Sequence, residues 1–148
     1  MYNMNESIMR FIEMQKCVSI CCVDSEGNPY CFSCFYAFNA EEGLLYFKSS
    51  PATYHIKLLL QKPVVSGSIL PDKLQILSVK GIQFQGVVLS EHHELSKNAS
   101  THYHKKYPFT LAIPGEKWTI QLTRIKMTDS SRLFGNKLYW ERTEMKVL

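Results

Sequence analysis

The 148-residue chain has the size and composition of one globular domain. Apolar residues make up 45% of it, charged residues make up 20%, and its formal net charge at pH 7 is +4. This composition excludes a disordered or fibrous chain. Of the 17 basic residues 11 follow residue 75, against 6 of the 13 acidic residues. The charge therefore suits a small anionic ligand and falls short of the basic stripe typical of nucleic-acid-binding domains.

The sequence predicts neither export nor membrane insertion. No apolar segment approaches the roughly 18 residues of a membrane-spanning helix. Asn3, Asn5, Glu6 and Arg10 interrupt the N-terminal apolar residues, which is unlike a secretory signal peptide. Five cysteines form an odd set without the spacing of a small secreted scaffold, so free thiols in a reducing compartment are expected. We therefore expect a cytoplasmic protein.

Hydrophobic periodicity predicts a short helix followed mainly by strands. Met4, Ile8, Phe11 and Ile12 share one face of the opening helix. Period-two alternation begins at residue 17, and near Thr123 its phase shifts, which predicts a β-bulge. The predicted strands are 17–22, 30–38, 44–47, 64–70, 79–89, 118–127 and 137–142, and further helices are predicted at 52–61 and 91–107. This order predicts one domain, residues 1–148, mainly β, forming a closed antiparallel barrel of six to seven strands with covering helices.

The most informative segment is the predicted strand-to-helix junction at residues 47–55. Ser50 is predicted as the N-cap, with Pro51 at the first helical position and Thr53 at the third. Lys48, His55 and the hydroxyls of Ser49, Ser50 and Thr53 surround this helix start. A cation, hydroxyls and free backbone N–H groups are what a phosphate site requires. The alternative interpretation is an ordinary capped helix beside a solvated lysine.

Other clusters of reactive residues favour structural roles. Cys31 and Cys34 are three residues apart on a predicted strand, so their thiols point to opposite faces and cannot share a metal ion. The histidines at 92, 93, 102 and 104 do not share one helical face, which favours a solvated helix over a zinc site. Trp118 and Trp140, near Lys137, could close over a planar ring or simply pack in the core.

The order and spacing of the motifs resemble the pyridoxamine-phosphate-oxidase-like FMN-binding split barrels, and within them a small family of uncharacterised bacterial proteins. The matching motifs are LYFKS (45–49), TYH (53–55), QKPV (61–64), GIQFQG (81–86), YHKKYP (103–108), WTIQL (118–122), IKMTD (125–129) and FGNKLYW (134–140). They extend over nearly the whole chain. The resemblance implies a split barrel that binds FMN at the interface of a homodimer.

The resemblance also implies where FMN binds. Its phosphate would lie at residues 48–55, its ring would meet the 47–49 strand and polar groups near Ser33 and Gln83, and the segment around Lys137 would contribute from either subunit. The candidate cofactor-binding residues are Ser33, Phe47, Lys48, Ser49, Ser50, Thr53, Tyr54, His55, Gln83 and Lys137. Related enzymes follow the Ser or Thr with two basic residues, whereas Thr53 is followed by Tyr54 and His55. No catalytic residue is identified.

Three functions remain open from the sequence. The first is an FMN-dependent oxidoreductase acting on an unidentified small molecule, because flavin chemistry needs no acid or base from a side chain. The second is a protein that binds FMN, haem or a related ligand without turnover. The third is a nucleic-acid binder that uses Tyr30, Phe32, Tyr36 and Phe38 for stacking, which a barrel core would bury. Pyridoxamine-phosphate oxidase activity is not expected, because Arg132 and Arg142 lack the spacing of the C-terminal motif that binds that substrate.

Overall fold

The computed structural model describes residues 3–133 and 136–143. Its helices are α1 (Glu6–Met14), α2 (Tyr54–Gln61) and α3 (Ala99–Lys106), with short 3₁₀ helices at Glu94–Ser96 and Pro108–Ala112. Its strands are β1 (Cys17–Val23), β2 (Pro29–Asn39), β3 (Leu44–Ser49), β4 (Val64–Ile69), β5 (Lys80–Leu89), β6 (Glu116–Asp129) and β7 (Lys137–Glu141). The predicted mainly β fold is confirmed, within a residue or two at most strand ends.

Six antiparallel strands close into a barrel in the order β3-β2-β1-β4-β5-β6, with β6 pairing back onto β3. The length of β6, 14 residues, makes this closure possible. Its first half pairs with β3, its second half pairs with the added strand β7, and most of its length pairs with β5. One long strand therefore belongs to both parts of a split barrel.

The predicted bulge lies in β6 at Thr123. Gln85 pairs with Arg124 whereas the next residue, Gly86, pairs with Leu122, so Thr123 is the extra residue. A Cβ on Gly86 would lie 2.7 Å from a methyl group of Ile120, so the close approach of the strands here requires glycine. The bulge changes which side chains of β6 face outward.

Two apolar clusters fill the molecule. The larger lies inside the barrel and takes the inward residues of every barrel strand, together with the buried face of α1. The smaller packs α3 against the outer side of β2 and β3, through Tyr103 and Tyr107 against Tyr46. Because Tyr36 is fully buried, and Phe32 and Phe38 are partly buried against the core, they do not form the exposed stacking face that the nucleic-acid hypothesis needs.

Two predicted helix boundaries are wrong. The polar segment 91–107 is not one helix, because the chain turns at Ser90–His93, forms the 3₁₀ helix, and begins α3 only at Ala99. Likewise α2 begins at Tyr54 with Thr53 as N-cap, because Thr53 N–H donates to the Ser50 carbonyl and residues 50–53 form a turn. Ser50 therefore caps no helix.

Candidate functional site: a polar cluster and a groove

The turn before α2 brings three of the predicted phosphate-site side chains together. The Ser49 hydroxyl lies 2.7 Å from Nε2 of His55 and 3.4 Å from the Thr53 hydroxyl, and the Thr53 hydroxyl lies 3.3 Å from the same nitrogen. We call Ser49, Thr53 and His55 the polar cluster. It forms because β3 ends at Ser49 and the turn at residues 50–53 places the first residues of α2 beside that strand end.

Aromatic rings border the polar cluster. The Phe32 ring stacks on the His55 imidazole, with 3.9 Å between centroids and 9° between planes. The Trp118 indole N–H donates to the Ser49 carbonyl at 3.0 Å, because Trp118 lies opposite Phe47 on the neighbouring strand. The cluster thus has two hydroxyls and an imidazole beside flat apolar rings, a combination that suits a ligand with a phosphate and an aromatic system.

The environment of His55 favours the neutral form of its imidazole. Partial burial lowers the pKa of His55 from its ordinary value, because the charged form loses water contacts. A neutral imidazole hydrogen-bonded to a hydroxyl can donate to a phosphate oxygen, and it can take up a proton when a dianion binds beside it.

Lys48 does not belong to the polar cluster, which corrects the prediction for this residue. Neighbouring residues of a strand point to opposite faces, and Lys48 Nζ donates to the Thr110 carbonyl at 2.8 Å and lies 3.3 Å from His104 Nε2. Burial lowers the pKa of His104, and the charges of Lys48 and Lys117 lower it further. Lys48 thereby joins β3 to the segment that follows α3.

The remaining candidates at the junction have separate positions. Phe47 is fully buried in the barrel core. Ser50 is exposed, and its hydroxyl accepts from the Ala52 N–H. Tyr54 is exposed and meets Tyr30 edge-on, with 5.0 Å between ring centroids. Of these three residues, Tyr54 is the one placed to contact a ligand with its ring.

Ser33 and Gln83 lie on a different surface, a groove of about 860 Å³ on the outer face of the sheet. The strand register places side chains across this face in two parallel rows. The first row is Ser33, Ser19, Ser68, Gln83, Lys126 and Tyr139. The second row is Cys31, Cys21, Ser66, Gln85, Arg124 and Glu141. Ser33 stands at the margin, with its hydroxyl 3.0 Å from that of Ser19.

Polar side chains of the two rows line the groove together with apolar groups of Phe84, Ile125 and Trp140, and both charges stand at one end. Arg124 forms an ion pair with Glu141 at 3.1 Å across β6 and β7. Lys137 begins β7 opposite Thr128 and is exposed, four residues along the strand from Glu141, and it is not one of the residues that line the groove. The described residues that line the groove include none from the polar cluster. The segment around Lys137, which is predicted to contribute to the FMN site, includes residues 134–135, and these lie outside the described residues.

The C-terminal arginine has a structural position. Arg142 is buried and donates to the carbonyls of Leu122, Glu42 and Gly43 at 2.7–2.9 Å. It fixes the end of β7 to the turn between β2 and β3, and its guanidinium lies over Trp140. Trp140, one of the two tryptophans considered for ring contact, is therefore mostly buried.

All five cysteines are free thiols. Cys31 is exposed whereas Cys34 faces the core, as the alternation predicted. Within the described residues no three His, Cys, Asp or Glu side chains come close enough to hold a metal ion. The pairing of Cys21 with Cys31 across two strands was not predicted, because a single sequence does not reveal strand register.

Sequence comparison places the chain among curated bacterial proteins. It is 33% identical over 135 residues to a UPF0306 protein of Photorhabdus laumondii, covering 91% of this chain and 94% of that one. The chain belongs to the UPF0306 family. A second member, from Yersinia enterocolitica, is 31% identical over 93% of this chain and 92% of its own length. No family model matches the sequence.

Structural comparison confirms the split-barrel fold. A haem-binding protein of Mycobacterium smegmatis matches with a TM-score of 0.72 and 13% identity, over 88% of this chain and 55% of that chain. A pyridoxinephosphate-oxidase-family protein of Clostridium acetobutylicum matches with a TM-score of 0.63 and 12% identity, over 91% of this chain and 92% of that chain. An FAD-binding protein of Mesorhizobium loti matches with a TM-score of 0.63 and 18% identity, over 80% of this chain and 87% of that chain. Proteins of this fold thus bind flavin or haem. In the described part of this chain, no helix is long and apolar enough to cross a membrane.

Proposed function

We propose that this protein binds FMN and acts as an FMN-dependent oxidoreductase on a small molecule. The observation that carries the proposal is the polar cluster: Ser49, Thr53 and His55 lie within 3.4 Å of one another at the end of a strand, beside Phe32 and Trp118. Hydroxyls and an imidazole can hydrogen-bond a phosphate, and Phe32 stacks on the imidazole beside them. The flavin-binding protein of the same fold adds support.

The groove is the proposed site of the flavin ring. Its volume of about 860 Å³ lies within the usual range for pockets that bind cofactors. Gln83 provides a polar group along it, Ser33 stands at its margin, and Arg124 and Lys126 provide positive charges at one end. These are the groups that could orient the polar edge of a ring, while Tyr139 offers an exposed aromatic surface.

We also propose that the protein is a homodimer. Within one chain the groove and the polar cluster do not share residues, and the groove is open to solvent. A two-fold pair would cover the groove of one subunit with the partner and would repeat the same contact for both sites. Light scattering tests this arrangement: a dimer at micromolar concentration supports it, and a monomer contradicts it.

FMN would supply the electron transfer, and the residues of this chain would bind and orient it. In that role the polar cluster provides affinity for the phosphate. His55 takes up a proton as the dianion binds, which balances part of the added negative charge.

The second candidate function is binding of haem without turnover. It is favoured by the haem-binding neighbour of the same fold and by the presence of an imidazole, His55, in the polar cluster. Haem binding would require an iron ligand, and His55 would have to leave Ser49 to provide it.

The visible spectrum of the purified protein, before and after addition of FMN or haemin, separates the two functions. Flavin absorption that persists after gel filtration, with FMN identified in the released cofactor, supports the first. A Soret band that is lost in the His55→Ala variant supports the second. Failure to retain either ligand contradicts both.

A further inference from the structure

Cys21 and Cys31 face each other across β1 and β2 on the floor of the groove. The strand register pairs them directly, and both residues line the groove. Their side chains share the outer face because each lies an even number of residues from Ser19 and Ser33, which form the neighbouring pair. Two thiols thus meet at one solvent-accessible place.

The hydrogen-bond pattern of the two strands fixes how close this pair is. Asp24 N–H donates to the Asn28 carbonyl, and Tyr36 N–H donates to the Lys16 carbonyl. Both are hydrogen-bonded pairs of the same ladder, and hydrogen-bonded pairs alternate with non-hydrogen-bonded ones. Cys21–Cys31 lies three steps from the first pair and five from the second, so it is non-hydrogen-bonded. In such pairs the Cα atoms are only about 4.5 Å apart and the side chains lie closer together.

The adjacent pair provides a measured check on this geometry. Ser19 and Ser33 form a pair of the same type on the same face, and their hydroxyl oxygens lie 3.0 Å apart. The neighbouring thiol of Cys21 also raises the pKa of Cys31. A Cα separation of about 4.5 Å is at the short end of the range found for disulfides.

We propose that Cys21 and Cys31 form a reversible redox pair that closes to a disulfide on reaction with a low-molecular-weight disulfide. The thiolate of Cys31, the more exposed of the two, attacks one sulfur of the oxidant and displaces one thiolate. The thiolate of Cys21 then attacks the Cys31 sulfur, which forms the Cys21–Cys31 bond and displaces the second thiolate. The protein loses two protons and two electrons, and the oxidant becomes two thiols.

The other cysteines are not placed for this reaction. Cys17 is exposed on the same strand but lies opposite Phe35, and Cys34 faces the core opposite Val18. Burial strongly favours the neutral thiol of Cys34, raising its pKa to about 12. Cys22 is buried, and its thiol donates to the Tyr30 carbonyl. The pair is therefore specific to positions 21 and 31.

Oxidised glutathione is the probe for this proposal. The full chain is incubated with it, the remaining thiols are alkylated without reduction, and the peptides are mapped by mass spectrometry. We expect the number of free thiols to fall from five to three, with a Cys21–Cys31 linked peptide and full recovery of five after reduction. The rate should increase as pH rises toward the thiol pKa, because the thiolate is the nucleophile.

Variants separate the pair from unspecific oxidation. Cys21→Ser should stop at a stable glutathione adduct on Cys31, whereas the matched control Cys17→Ser should still form the linked peptide. A persistent glutathione adduct on Cys31 in the wild type, a disulfide to Cys17, or five thiols left after oxidation would overturn the proposal. The wild-type map decides even if a variant does not fold. It is made on protein freed of FMN and diluted until light scattering shows monomers, because a flavin ring or a partner subunit on the groove would cover both thiols.

Discussion

The polar cluster and the groove are built in opposite ways. The polar cluster comes from seven consecutive positions, 49–55, and its side chains hydrogen-bond to one another. The groove draws residues from six strands that are distant in the sequence and meet only through register. The first depends on a local turn, and the second depends on the whole sheet.

This difference determines how each region responds to change. If the polar cluster binds FMN as proposed, a substitution there removes a ligand contact. It should leave the barrel intact, because Ser49, Thr53 and His55 are only partly buried. A substitution beneath the groove alters the strands themselves. Substitutions in the polar cluster should therefore change FMN affinity, and substitutions beneath the groove should change the free energy of unfolding.

The largest effect on stability is expected from Gly67→Ala in β4, beneath the groove. A Cβ there would lie 2.3 Å from the Phe84 ring and 2.5 Å from the Ser19 carbonyl oxygen. Overpacking of this kind costs about 1–3 kcal/mol. Urea denaturation should show that loss of unfolding free energy. The control is Gly81→Ala on β5, where the nearest atom is at 3.3 Å; an equal loss in both variants would contradict the account.

Removal of one phosphate contact should weaken FMN binding without unfolding the protein. Ser49→Ala and His55→Gln each delete or reduce one hydrogen bond to a charged group, worth about 1.5–3 kcal/mol. Fluorescence titration should therefore give a Kd for FMN roughly ten- to a hundredfold higher. Ser100→Ala, an exposed hydroxyl on α3, is the matched control. If all three variants lose affinity equally, the polar cluster is not the phosphate site.

The affinity for FMN should also depend on pH through His55. Burial lowers the pKa of His55 in the free protein, and a bound phosphate dianion would raise it, so binding takes up a proton. Affinity should rise as pH falls from neutral toward the lowered pKa of the free form. The second ionisation of the phosphate has a pKa of about 6. It changes the FMN affinity of the His55→Gln variant in the same way as that of the wild type. The ratio of wild-type affinity to variant affinity therefore measures the contribution of the His55 imidazole. A ratio that stays constant from pH 8 to pH 6 would show that His55 does not cause the pH dependence.

The smallest effect on affinity is expected from Lys48→Met. The Lys48 ammonium is bound to the Thr110 carbonyl, away from the polar cluster. We expect the Kd for FMN to change less than about threefold, while unfolding free energy falls by about 0.5–1.5 kcal/mol for the lost hydrogen bond. A tenfold loss of FMN affinity would show instead that Lys48 turns toward the phosphate.

The local features of the fold were predictable because their signals lie in neighbouring residues. Period-two alternation located the strands, and the phase shift after Leu122 located the bulge at Thr123. The N-cap of α2 was predicted at Ser50, three residues before its observed position at Thr53, since Ser50-Pro51 is typical both of a helix start and of a turn. The polar segment after Leu89 contains helix-forming residues but too few apolar contacts to hold one long helix.

The site was predictable only in part, for the same physical reason. Ser49, Thr53 and His55 were predicted as a group and lie together, whereas Lys48 alternates to the opposite face of β3 and binds a carbonyl 62 residues away. The sequence predicts that Cys31 and Cys34 point to opposite faces of their strand, whereas the position of Cys31 opposite Cys21 depends on strand register, which a single sequence does not reveal. The stacking of Phe32 on His55 likewise depends on how α2 packs against β2.

The central claim is that the polar cluster binds the phosphate of FMN, and the preference of the wild-type protein for FMN over riboflavin tests it most directly. The two flavins share the ring and differ in the phosphate, so the ratio of their dissociation constants measures that contact alone. Two or more hydrogen bonds to the phosphate predict a preference for FMN of at least about tenfold, which Ser49→Ala should reduce. Equal affinity for FMN and riboflavin in the wild type would contradict the account.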